Sequence, residues 1–144
     1  MCCNSSWCAH DEMQMSEMDP EIRRLCDIVR ETSFEIHKYL RNGHFKKVYE
    51  NALVHRLIKI GIHVEPRPQL QAFDEDGTTI GNYVADLFVE RKLVVDIKAV
   101  SQISNEHIAQ LLGYRRASRI EHGLLVNFGG RRLEIKKYVL STPS

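Results

Sequence analysis

The sequence predicts a single mixed α/β domain. Apolar residues recur at helical spacing between residues 19 and 60. From residue 63 the period shortens to that of strands, and one more helical stretch interrupts those strands after Ser104. The order ααβββαββ describes an α+β chain whose central mixed sheet is flanked by helices. A chain of 144 residues has room for one such core and little else.

Each element has its own signal. Residues 1–18 are polar, rich in methionine and without periodicity, and read as a flexible tail; residues 19–144 form the domain. Asp19 is a candidate N-cap and Pro20 suits the first helical position. Ile22, Leu25, Val29, Ile36 and Leu40 then make one buried stripe, and Asn42-Gly43 ends it. A second helix is expected over 44–60, with Tyr49, Ala52, Leu53, Leu57 and Ile60 sharing a face. Residues 63–73 carry Pro66 and Pro68, which fits an edge or irregular strand. A turn follows at 74–77, and the runs 78–90 and 93–100 read as an antiparallel hairpin turning at Arg91. Ser104 caps a third helix bearing Ile108, Leu111 and Leu112. The strands 123–128 and 133–140 complete the domain.

Composition excludes some classes. The formal net charge of +1 neither requires nor forbids a nucleic-acid partner. No run of apolar residues is long enough to span a membrane, and the chain lacks a signal-peptide layout, so a cytoplasmic protein is expected. Of the cysteines, Cys2, Cys3 and Cys8 crowd the tail and only Cys26 falls in the domain, which argues against a disulfide framework. Those three with His10 do not match common zinc spacings.

The hairpin carries the candidate chemistry. Alternation along a strand puts Asp96 and Lys98 on one face and Val95, Ile97 and Ala99 on the other. A turn at Arg91 brings Asp86 beside Asp96. Two carboxylates about 4 Å apart repel by roughly 4 kcal/mol at an effective dielectric near 20, so a cation must offset them. Oxygen ligands of this kind suit Mg²⁺, or Mn²⁺, held by Asp86, Asp96 and the backbone carbonyl of Ile97. The chemistry that follows is phosphodiester hydrolysis, with Lys98 orienting water or stabilising charge. The same alternation also describes a solvated strand face with a cross-strand charge pair, and spacing alone does not choose.

Six segments occur in a familiar order: E-I-H-K at 35–38, V-Y-E-N-A-L at 48–53, Y-V-A-D-L-F-V-E at 83–90, V-D-I-K-A-V at 95–100, A-Q-L-L-G-Y at 109–114 and L-L-V-N-F-G at 124–129. In these the chain resembles the family named after its GxxExxY motif, compact proteins of the PD-(D/E)XK nuclease superfamily. The resemblance implies a restriction-endonuclease-like core. It implies that Asp86 and Asp96 are the two acids, Lys98 the lysine, and Gln110 the glutamine of the following helix. It also implies a nucleic-acid substrate, DNA first, and small proteins of this type often work as a homodimer or with a protein partner.

Two departures stand out. Aspartate fills position 96, where the family usually has glutamate. In G-H-F-K-K-V-Y at 43–49, Lys46 replaces the naming glutamate and would repel a cation. Glu50, one turn on, could substitute as a metal ligand, or be surface charge. Tyr114, Arg115, Arg116 and Arg119 place an aromatic and three cations where phosphates could be contacted, although cations also favour helix C-termini. Arg131, Arg132, Lys136 and Lys137 could extend a basic rim, and His37 reads as a packing residue. Three functions compete: a Mg²⁺-dependent nuclease, a nuclease-derived binding or accessory protein, and a structural interaction module.

Overall fold

The computed structural model describes residues 9–10 and 19–139. Cys2, Cys3 and Cys8, and most of the expected tail, lie outside the described residues. Within it, Ala9–His10 (β1) forms a short strand parallel to β8, at Glu134–Val139.

Helix α1 (Pro20–Leu40) starts as its capping residues dictate: the Asp19 carboxylate accepts the Glu21 amide at 2.7 Å, with Pro20 in the first turn. It buries Ile22, Leu25, Val29 and Ile36 on one stripe, and ends where Arg41 turns left-handed, before Asn42-Gly43. Helix α2 (Lys46–Lys59) buries Tyr49, Leu53 and Leu57 as expected, but Ile60 is exposed and Glu50 is buried.

The strands depart from the simple hairpin. The 63–73 stretch divides into β2 (Val64–Pro66) and β3 (Gln69–Phe73), with Arg67 left-handed between the two prolines. The 78–90 run also divides, into β4 (Thr79–Val84) and β5 (Leu87–Val89). Only β5 pairs with β6 (Leu93–Lys98); β4 turns back on β3 as a separate two-stranded ribbon. The physical cause is the Pro66-Arg67-Pro68 bend. It takes one strand out of the main sheet, and the other leaves with it, joined by Arg67 N–H to Asp86 carbonyl and Ala85 N–H to Pro68 carbonyl bonds. The expected turn at Arg91 is present, with Glu90 and Arg91 both at positive φ, as a tight hairpin of this kind demands.

The main sheet runs β1-β8-β7-β6-β5-β2, where β7 is His122–Asn127. Strands β6 and β7 are parallel, and helix α3 (Asn105–Ser118) makes the crossover between them. Ser104 caps α3 through a reciprocal pair: its hydroxyl accepts the His107 amide, and its own amide donates to His107 Nδ1, both at 3.1 Å.

Helices α1 and α2 cover one face of the sheet, packing on Leu87, Val89, Leu93, Val95, Ile97, Leu124 and Val126. Helix α3 covers the other with Leu111, over Leu125 and Tyr138. This is the mixed sheet flanked by helices on both sides that the sequence predicts. No helix among the described residues is long and apolar enough to cross a membrane.

Candidate active-site cleft

Strand β6 is central and buried on both sides, so its polar residues are not a solvated face. Val94, Asp96 and Lys98 point to the α3 side. Asp86 stands one position beyond the Leu87–Val95 pair, at the point where the chain leaves the ribbon for the sheet. Its Oδ2 accepts the Ile97 amide at 2.7 Å, which fixes it on the same side as Asp96. Asp86, Asp96, Lys98 and Gln110 line one cleft of about 160 Å³, together with Lys46, Tyr83, His107, Leu111 and Tyr114. A larger open groove of about 460 Å³ lies over α1 and β8, but no paired acids gather there, so size does not mark the chemistry.

Each acid already has a cation of its own. Lys46 Nζ stands 2.9 Å from Asp86 Oδ1. The Arg115 guanidinium, only 1% exposed, is bonded to Asp96 Oδ2. Tyr83 donates its hydroxyl to Asp96 Oδ1 at 3.3 Å. Burial pushes the Asp96 carboxyl above the usual aspartate range, Arg115 opposes that rise, and Asp86 adds to it. Burial, then Asp96, pushes the Tyr83 phenol up as well, so it remains a donor.

Local sequence explains both cations. Tyr49, the final residue of the G-H-F-K-K-V-Y segment, stacks on Phe128 with ring centroids 4.6 Å apart. Its hydroxyl donates to the Arg41 carbonyl and accepts the His44 amide, pinning the loop that presents Lys46. Arg115 lies one turn from Leu111 on the inward stripe of α3 and fills space over Gly123 of β7. A Cβ on that glycine would meet Arg115 Nε at 3.5 Å.

The remaining candidates are placed as follows. Lys98 has no ion-pair partner among the described residues. Gln110 donates from Nε2 to the Tyr114 hydroxyl at 3.0 Å. Arg119, grouped by sequence with the phosphate-facing cations, donates to the Asp74 carbonyl at 3.1 Å and lies over the Phe73 ring, holding the ribbon to α3. Arg116 is exposed. Glu50 is buried on α2, 3.7 Å from Lys47, with Oε2 unbonded, and is not among the residues lining the cleft. His37 bonds to the Gly130 carbonyl at 3.0 Å, a packing role. Lys137 is no part of a basic rim: it is 1% exposed, because alternation along β8 turns it inward beside Cys26. Sequence reasoning missed the inward role of Arg115, although its i+4 spacing from Leu111 carried the signal. Tyr83 was given no role although it opens the Y-V-A-D-L-F-V-E segment, and His107 has no motif of its own.

A model of the PD-(D/E)XK nuclease superfamily matches residues 23–138, and the chain belongs to that superfamily. Neither the curated proteins nor the solved structures returned a match. Its membership implies a divalent metal, and the donor set can be tested for one. The two aspartates face three cations, Lys46, Lys98 and Arg115, and two of these are bonded to them. Among the described residues no three His, Cys, Asp or Glu side chains group closely enough to hold an ion. With both acids ionised, and the buried Arg115 counted beside the lining Lys46 and Lys98, the site carries one positive charge in excess. That balance repels a dication and attracts a phosphate. The residues present do not fit a divalent metal.

Proposed function

We propose that this chain, a member of the GxxExxY group, is a nuclease-fold protein that binds the phosphate backbone of nucleic acid, DNA first, without metal and without turnover. The observation that supports this most directly is the pairing of each aspartate with a cation of the same chain. A metal would have to displace Lys46 and then sit among Arg115 and Lys98. A phosphate meets no such obstacle, because Lys98 is the cation left over. Lys46 and Arg115 serve as positioning residues, neutralising the acids that would otherwise repel the ligand.

The test is binding of fluorescently labelled DNA in EDTA, followed by anisotropy at several salt concentrations. Wild type is expected to bind with a marked salt dependence. Lys98→Ala is expected to bind more weakly and to lose about one unit of the log–log salt slope. RNA of the same sequence ranks the two polymers. Divalent-dependent cleavage that disappears in Asp96→Asn would make the protein a hydrolase, and absence of all binding would leave an interaction module.

A further inference from the structure

The size of the cleft limits what can lie inside it. About 160 Å³ is well below the roughly 300–1,000 Å³ of pockets that enclose a whole ligand. A phosphate and part of a sugar fit within. The base of the same nucleotide has to lie outside, against the rim.

Tyr114 forms part of that rim. It lines the cleft yet keeps 40% of its surface exposed. Two contacts hold it in place, one of them braced from behind. One face lies on the Tyr83 ring, with centroids 4.3 Å apart and planes 29° apart. Tyr83 is in turn packed against the Arg115 guanidinium, 5.1 Å from its ring centre. Gln110 fixes the Tyr114 hydroxyl. The stack on Tyr83 clamps the β3–β4 ribbon to α3, and this accounts for one side of the Tyr114 ring. The residue is nevertheless 40% exposed, ordered in advance by these contacts, and it lines the same cleft as Lys98.

We infer that Tyr114 is the stacking platform for an unpaired base of the strand whose phosphate the cleft holds. The inference rests on the nucleic-acid reading above and narrows its ligand to single-stranded ends or loops. Bases within a duplex already stack on their neighbours and cannot offer a face to a side chain, whereas an unpaired base can. The ring is held before binding, so little conformational entropy is lost when a base settles on it.

Three labelled probes in EDTA separate the contributions: a short mixed-sequence single strand, the same strand as a blunt duplex, and a single strand carrying abasic sites. The wild-type protein is expected to bind the intact single strand about ten-fold more tightly than either of the others, the usual scale of one base–aromatic stack. Tyr114→Ala is expected to erase that preference, and Tyr114→Trp to restore or increase it. Lys98→Ala should weaken binding of all three probes in proportion. Equal wild-type affinity for the intact and abasic strands would overturn the stacking inference while leaving phosphate binding in place. Failure to bind any probe would overturn the nucleic-acid reading and this inference with it.

Discussion

The two faces of strand β6 are built on different physics. Toward α1 and α2 it presents Leu93, Val95 and Ile97, fully buried among aliphatic and aromatic neighbours. Toward α3 it presents Val94, Asp96 and Lys98, and there the buried acids Asp96 and the neighbouring Asp86 are matched by polar partners from elsewhere: Lys46 from α2, Arg115 from α3 and the Tyr83 hydroxyl from the ribbon. An apolar side chain needs any apolar surface. A buried charge needs one particular opposite charge. Lys137 is the exception on the face toward α1 and α2, a buried ammonium bonded, among the described residues, to the Tyr138 carbonyl at 3.0 Å and to His122 Nδ1 at 3.3 Å. No carboxylate answers it within ion-pair distance among the described residues.

The largest effect is expected from breaking the pair on the α3 face. Arg115→Leu leaves Asp96 buried without its cation and should cost about 3–5 kcal/mol in denaturant unfolding at neutral pH. The loss should shrink in acid. Burial already raises the Asp96 carboxyl, and without Arg115 it rises further. The folded state then holds its proton more tightly than the unfolded state, so stability is recovered as pH falls through the folded value. A loss that does not vary with pH would mean that Arg115 acts by packing alone.

Lys137→Met tests the opposite face. Burial lowers the Lys137 ammonium from 10.5 to about 8. Above about 8 the folded form is neutral while the unfolded chain still binds its proton, so wild-type stability should climb between about pH 8 and 10.5. That climb disappears in the methionine variant, which should be more stable than wild type at pH 7 by up to about 3 kcal/mol. Lost hydrogen bonds to Tyr138 and His122 offset part of the gain. Ile97→Val, on the purely apolar face, should cost only about 1 kcal/mol, the same at every pH.

The unequal legibility of the sequence follows the same division. The α1 stripe, the Ser104 cap, the turn at Arg91 and the shared face of Asp86 and Asp96 are all readable from periodicity and turn chemistry, because each depends on residues close in sequence. The split of residues 78–90 was hidden, since it depends on the bend at Pro66 and Pro68 in a different strand. The cations on the two aspartates were only half visible: Lys46 stood out as a departure from its motif, while Arg115 passed for a surface cation. Its pairing partner lies 19 residues away and across a crossover. Lys137 was misjudged for a similar reason, as its inward direction depends on which face of β8 meets α1.

The chemistry of the cleft turns on whether Asp86 and Asp96 are already satisfied by Lys46 and Arg115. Calorimetric titration of Mn²⁺ into wild type, Asp86→Ala and Lys46→Glu addresses this directly. If they are, wild type and Asp86→Ala give the same featureless trace through the millimolar range, while Lys46→Glu gains a saturable site. A saturable wild-type isotherm that vanishes in Asp86→Ala would contradict that pairing.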